Sequence, residues 1–479
     1  MTDFNTVFGW VAWNTVVLLY VVIIVGTIMV VILENRNPVK TLAWILVLMF
    51  LPIVGLILYV FFGTDHRRTR VISRNSYNKL IKKPWNEFLA QVEVHVPEKY
   101  EHLTKLLQVT NQSFLFTRNE VDVYTEGATF IHELVRALEQ AKDHIHLEFY
   151  IFMDDSIGRM IRDVLIEKAR QGVEIRVLYD DVGCWHVDNK FFESMREGGI
   201  EVRSFLKVRF PLFTSKVNYR NHRKIVVIDG KVGFVGGMNL AERYVDGVPW
   251  GIWRDTHLKV QGRAVHGLQT AFLLDWYFVD RSLITASRFF PQIDTEGDIT
   301  AQIVTSDPTG PWREIMLGLI GAISATRKYF YLQTPYFLPT EQVMMALQTA
   351  ALSGVDVRLM LPKKADSKLT QLGSYSYLAS AMRAGVKVYF YEKGFLHSKM
   401  MVSDDYFSTV GSTNLDFRSF EHNMEVNAFM YNEALALKIK NIFLEDQKDC
   451  KRLQLKDWEA RPWYQHTAES VVRLLAPLL

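Results

Sequence analysis

Cysteine is nearly absent: Cys184 and Cys450 are the only two in 479 residues. They lie far apart and fit no ligand spacing, which argues against a disulfide framework or a cysteine zinc site and for reduced thiols. Net charge is almost absent too, at +3. That speaks against a nucleic-acid binder and confines any basic surface to local patches. A basic leader is missing, since Asp3 is the only charged side chain ahead of the first apolar run. A cleaved signal peptide therefore fits poorly. At this length one compact core does not suffice, and two or three units are expected.

What is present in excess is apolar sequence, and it is concentrated at one end. "FGWVAWNTVVLLYVVIIVGTIMVVIL" (8–33) and "TLAWILVLMFLPIVGLILYVFF" (41–62) carry no charge. Each reaches the roughly 20 residues that a membrane-spanning helix needs. The pair is read as a transmembrane hairpin over 1–63, with Pro52 kinking the second helix; a re-entrant second segment stays open. Asn14 and Thr15 are read as helix-contact or interfacial residues. Arg67, Arg68, Arg70 and Arg74 follow the second run, whereas the connecting loop holds Arg36 and Lys40 against Glu34. The positive-inside rule then places everything after residue 63 in the cytoplasm, in a multi-pass arrangement. Residues 64–118 form a basic juxtamembrane and helical linker that can also hold anionic headgroups.

From about residue 120 helical and strand periodicities alternate, the pattern of an α/β fold. The order then repeats. "HIHLEFYIF", "IGRMIRDVLIEKARQG" and "VEIRVLYDD" are answered by "YFYLQTPYF", "TEQVMMALQTAALSG" and "VDVRLMLP". A period this long means domain duplication, with repeats over 119–295 and 296–479.

The duplication carries a motif. "HRKIVVIDGKVGFVGGMN" (222–239) and "HSKMMVSDDYFSTVGSTN" (397–414) both read His-x-Lys-x4-Asp, followed after six residues by Gly-Gly/Ser-x-Asn. One such match is weak; two at equivalent points of a duplication are not. Alternation along a strand points His222 and Lys224 the same way, and likewise His397 and Lys399. A two-residue turn at Asp229-Gly230 would pair Ile228 with Lys231 and set His222 opposite Gly237, with Asn239 just beyond. The same turn at Asp404-Asp405 would set His397 opposite Ser412, beside Asn414. The glycines would leave room for a ligand, and Asp229 and Asp404, remote at the turns, read as structural. Two imidazoles, two ammoniums and two amides suit a phosphodiester. Lysines and asparagines would bond the non-bridging oxygens, one histidine would attack phosphorus, and the other would protonate the leaving alcohol. With ordinary pKa values near 6.5, one neutral and one protonated imidazole would coexist near neutral pH. No metal or other cofactor is called for.

These paired motifs resemble those of the phospholipase D superfamily. The chain is similar over nearly its whole length to bacterial cardiolipin synthases, in "RNHRKIVVIDG", "WRDTHLKVQG", "QTPYFLP" and "LHSKMMVSDDYFSTVGSTNLDFRSFEHNMEVNAF". The resemblance implies two mixed β-sheets flanked by helices about a pseudo-twofold axis. It implies a phosphatidyl transfer through phosphohistidine, in which two phosphatidylglycerols give cardiolipin and glycerol at a bacterial cytoplasmic membrane. His222, Lys224, Asp229, His397, Lys399 and Asp404 occupy the family's motif positions. By the same analogy His222 is the nucleophile and His397 the general acid and then base, although a near-symmetric site leaves the reverse open. A hydrolase using the same intermediate and a catalytically silent membrane scaffold are the competing readings.

Asp255 in "WRDTH" and Glu425 in "HNMEV" follow the two motifs at comparable distances and are candidates to orient the imidazoles; ordinary salt-bridge acids are the alternative. His144, His146 and Glu148 alternate on one strand, but no further ligand cluster joins them, so a structural or pocket-lining role is favoured over metal binding. Glu148 corresponds to Gln333 in the other repeat. The C-terminal "TAESVVRLLAPLL" reads as a helix packed on the domain, with a place on the bilayer as the alternative.

Overall fold

A proline decides the shape of the second apolar run. In the computed structural model, which describes residues 4–33, 38–59, 63, 96–207, 219–293 and 295–474, helix Phe4–Leu33 is unbroken. Its Gly9–Leu33 stretch of 25 residues is long and apolar enough to cross a membrane, rising about 37 Å against a hydrocarbon core of about 30 Å. Asn14 and Thr15 return their side-chain donors to the carbonyls of Trp10 (2.9 Å) and Val11 (2.8 Å), so both are satisfied within the helix. The second run is not one helix. It forms Pro38–Phe50 and Pro52–Leu58, separated at Leu51 (φ −128°, ψ 66°). Proline offers no N–H and drives the residue before it out of the helical region. The expected kink is thus a break, and among the described residues one helix is long enough to span; residues 60–62 of the expected second span lie outside the described residues.

The described residues from 96 onward belong to a second unit, built twice. In the first copy, His144–Phe149, Glu174–Asp180 and Glu201–Phe205 run parallel, joined by helices Ser156–Arg170 and Asn189–Glu197. In the second, Tyr329–Gln333, Asp356–Pro362 and Lys387–Tyr391 do the same through Glu341–Leu352 and Lys368–Arg383. Each trio is extended by an antiparallel hairpin, Lys224–Ile228 with Val232–Gly236 and Met400–Ser403 with Phe407–Gly411. Both faces of the first hairpin are buried: Ile225 and Val227 enter one core, Val226 and Ile228 the other. That explains its unbroken apolar centre.

The two sheets implied by the resemblance are one. Ile299–Ser306 pairs with Asn423–Tyr431 of the second copy and with Phe116–Tyr124, which pairs in turn with His257–Gly262 of the first. The result is a single 16-stranded sheet with no open edge between the copies.

The hairpins also differ from the expected register by one residue. Ile228 pairs with Val232, and Ser403 with Phe407. Asp229 and Gly230 (φ 52° and 64°), like Asp404 and Asp405 (φ 51° and 58°), do form two-residue left-handed turns. The next residue in each, Lys231 or Tyr406, is an extra one that the ladder skips. A side chain at Gly230 would meet Pro291 and the Phe289 carbonyl. Each turn aspartate is occupied locally. Asp229 accepts the backbone N–H groups of Lys142, Asp143 and His144 (2.8–3.0 Å); Asp404 accepts those of Arg327, Lys328 and Tyr329 (2.8–3.0 Å) and the Lys99 ammonium (2.8 Å). Both therefore tie a turn to the start of the neighbouring parallel strand. Asp229→Ala and Asp404→Ala are each expected to cost about 2–3 kcal/mol of stability, read as a lower urea midpoint, while turnover per folded molecule falls less than tenfold.

Candidate active site

The residues ahead of each motif histidine leave their own hairpin and cross to the other copy. Arg220–Asn221 runs parallel to Asn423–Met424, and Gly394–Leu396 runs parallel to Ile252–Arg254. His222 then donates its backbone N–H to the Met424 carbonyl (2.9 Å), and His397 donates its own to that of Arg254 (2.7 Å). Each histidine is thus held by the strand that carries the other copy's acid.

The side chains cross in the same way. His222 Nδ1 lies 3.0 Å from both carboxylate oxygens of Glu425, and His397 Nδ1 lies 2.6 Å from Asp255 Oδ2. Occupying Nδ1 leaves Nε2 of each ring for a ligand. Gly237 explains part of the motif. A Cβ there would sit 2.1 Å from Asp255 Oδ1, so this glycine makes room for the carboxylate rather than for a ligand. Its counterpart, Ser412, instead donates its hydroxyl to Glu425 (2.5 Å). Two buried arginines fix the acids from behind: Arg223 Nε donates to the Glu425 carbonyl (3.0 Å) and Arg254 Nη1 to that of Asp255 (2.5 Å).

His222 and His397 face one cavity of about 340 Å³, also lined by Asn239 and Asn414. Asn239 Oδ1 accepts from Ile151 N–H (3.1 Å) and its amide donates to the Tyr244 hydroxyl (2.7 Å). The lysines are placed otherwise than expected. Lys224 and Lys399 are fully buried behind the histidines, each donating to its own histidine's carbonyl, and neither lines the cavity. Burial pulls their ammonium groups down to about 7 and about 8. Asp229 and Asp404 stay at the turns, outside the cavity.

Burial also lowers both histidines to about 4, with the neighbouring lysines adding to the fall and Glu425 or Asp255 opposing it. Burial thus disfavours the protonated form of both rings, where the sequence leads us to expect one neutral and one protonated ring. His257 and His266 are pushed the same way, to about 3 and about 4. Between about pH 4 and the unfolded value of about 6.5, the unfolded chain binds more protons at these rings than the folded one. Stability is accordingly expected to fall as pH drops through that window, measured as a decreasing urea midpoint.

His144, His146 and Glu148 lie outside the cavity. His144 bonds Asp143 (2.7 Å), while His146 stacks on Phe272 (4.5 Å) and bonds Gln269 (2.7 Å). Glu148 accepts from the Asn221 amide, and its counterpart Gln333 donates to Asp446 (2.8 Å). Arg220, Arg243 and Arg418 were not singled out from the sequence, yet all three line the cavity. The shared tail would have given two of them, since it continues as Asn-Leu-x-x-Arg at both 239–243 and 414–418.

Two copies of one α/β unit, meeting at a cavity through crossed imidazole–carboxylate pairs, define a duplicated phospholipase D-like protein. The family model described as "Cardiolipin synthase, PLD-like domain" matches residues 134–248 and 319–447, and one described as "Phospholipase_D-nuclease N-terminal" matches 18–63. The chain is 38% identical to the "Major cardiolipin synthase ClsA" of Bacillus subtilis (strain 168), over 96% of this chain and 98% of that one. It is 39% identical to a "Cardiolipin synthase" of Geobacillus kaustophilus (strain HTA426), over 94% and 91%. A crystal structure of phosphatidylserine synthase from Haemophilus influenzae Rd KW20 shares the fold, with a TM-score of 0.61 at 14% identity over 79% of this chain and 98% of that one. The chain belongs to the cardiolipin synthase family.

Proposed function

We propose that this enzyme transfers a phosphatidyl group from one phosphatidylglycerol to another, forming cardiolipin and glycerol. The observation that carries the reading is the pair of imidazoles on one cavity, each with Nδ1 on a carboxylate, in a chain similar along nearly its whole length to cardiolipin synthases.

His222 Nε2 attacks the donor phosphorus, and the bond to the glycerol headgroup oxygen breaks. His397, which takes a proton from solvent as the phosphate anion binds beside it, gives that proton to the departing glycerol. The headgroup hydroxyl of a second phosphatidylglycerol then attacks the phosphohistidine, returns a proton to His397, and releases His222. Glu425 and Asp255 hold each ring in one tautomer and stabilise the imidazolium that forms. Lys224 and Lys399 supply positive charge behind the rings as charge develops on the phosphoryl oxygens. Asn239 and Asn414 border the same space.

Helix Phe4–Leu33 anchors the enzyme among its lipid substrates. The second run returns across the bilayer in two pieces bent at Pro52, and Arg67, Arg68, Arg70 and Arg74 keep the catalytic unit on the cytoplasmic side. The test uses purified full-length protein in vesicles containing labelled phosphatidylglycerol. Cardiolipin that added glycerol converts back is the expected result; phosphatidic acid as the main product overturns the reading.

A further inference from the structure

The half-sites differ at several positions, and the sharpest change of chemistry lies two residues ahead of each histidine. There the first copy has Arg220 and the second has Phe395. Backbone pairing doubles the contrast, because Arg220 lies beside Asn423 and Phe395 beside Trp253. His397 is consequently set among rings, with Trp253 at 5.3 Å, Phe395 at 5.5 Å and Tyr244 at 6.3 Å. His222 has the Tyr150 ring at 4.9 Å, and Arg220, Arg418 and Asn423 line the same cavity.

Arg220 is only 2% exposed, yet much of its guanidinium is unused. Nη1 reaches Asp180 Oδ1 at 3.4 Å, while Nε and Nη2 have no partner. Asp180 is held by other donors as well: its carboxylate accepts the N–H groups of Val182 (2.9 Å), Gly183 (3.0 Å) and Asn221 (3.0 Å), while the Arg220 charge offsets its burial. The position matching Asp180 in the second copy is Pro362, so the polar pair has an apolar counterpart there. A buried cation with idle donors is costly unless something meets them. Its planar fork is suited to a phosphate.

The proposed reaction supplies a phosphate for it. When the second phosphatidylglycerol attacks, the site holds two phosphoryl groups, one on the phosphohistidine and one in the acceptor's own phosphodiester. They are separated by a single glycerol, and Arg220 lies on the same cavity as His222, two residues before it in the chain. We propose that Arg220 binds the acceptor's own phosphodiester, the one that is not cleaved. It then selects an alcohol that carries a lipid phosphate over free glycerol or water, neither of which has a phosphate to offer. This rests on the reaction proposed above.

Two acceptors separate the roles. In phosphatidylglycerol vesicles, cardiolipin formation uses a phosphate-bearing acceptor, and incorporation of labelled glycerol into phosphatidylglycerol uses one without phosphate; the donor step is common to both. Arg220→Gln is expected to lower the ratio of cardiolipin formed to glycerol incorporated at least tenfold, through a raised KM for phosphatidylglycerol as acceptor. Arg220→Lys, which keeps the charge where the glutamine variant is too unstable to assay, should lower the ratio several-fold. The proposal is overturned if the two reactions fall in step in both variants, since Arg220 would then serve the transferred phosphate or the fold. It is equally overturned if the ratio changes in neither. A wild-type protein that incorporates glycerol but makes phosphatidic acid in place of cardiolipin removes the parent reading instead, and is recognised before any variant is made.

Discussion

His222→Ala and His397→Ala are each expected to abolish cardiolipin formation, with a loss on the order of 10⁴-fold or more. The size of the effect follows from the division of labour in one cavity. One ring must become covalently bound and the other must deliver and recover a proton, so each variant removes a step that the remaining ring does not perform alone. The two variants should differ in one respect. Without His397 a phosphohistidine at His222 has no base to activate the acceptor, so label from phosphatidylglycerol should accumulate on His397→Ala and be absent from His222→Ala. The opposite pattern exchanges the two roles. Near-normal turnover by either variant would sink the mechanism.

The second large effect concerns acids that act from the other half of the chain. Glu425→Gln and Asp255→Asn should each lower kcat by about 10²–10⁴-fold with little change in KM, the fold being retained. An amide keeps the shape but cannot stabilise an imidazolium, and it can present the wrong tautomer. Glu425 also opposes the burial that lowers His222. Its removal should shift the acid limb of the pH–rate profile to lower pH, a displacement that a purely structural role would not produce. A profile that keeps its shape while the rate falls would count against the assignment.

The parts of this site that were legible from sequence are those set by local periodicity or by repetition. Ile225 to Ile228 could be placed because an unbroken apolar run next to a turn signal has few readings. His222 and His397 stood out because the same spacing occurs twice. Asp255 and Glu425 could be nominated, but not their exchange, because a bond between His222 and Glu425 spans 203 positions and depends on short strand pairings that no local pattern encodes. The register slipped by one because a left-handed aspartate turn looks the same with or without an extra residue after it. Pro52 was visible, yet whether a proline bends or breaks a helix depends on the residue before it, and Leu51 is extended enough to break it. Arg220 escaped notice for a different reason. The duplication directs attention to what the copies share, and its importance lies in what they do not.

The continuous sheet has a consequence for how substrates come and go. Many two-lobed enzymes admit substrate by swinging their halves apart on a hinge. Here the ladder between Ile299–Ser306 and Asn423–Tyr431, continued through Phe116–Tyr124, joins the halves by backbone hydrogen bonds, and each half also grips the other's histidine. Opening would break this spine and separate both imidazoles from their acids at once. A hinge between the copies is therefore a costly way to admit substrate, and the sheet that builds the site also locks its two halves in register.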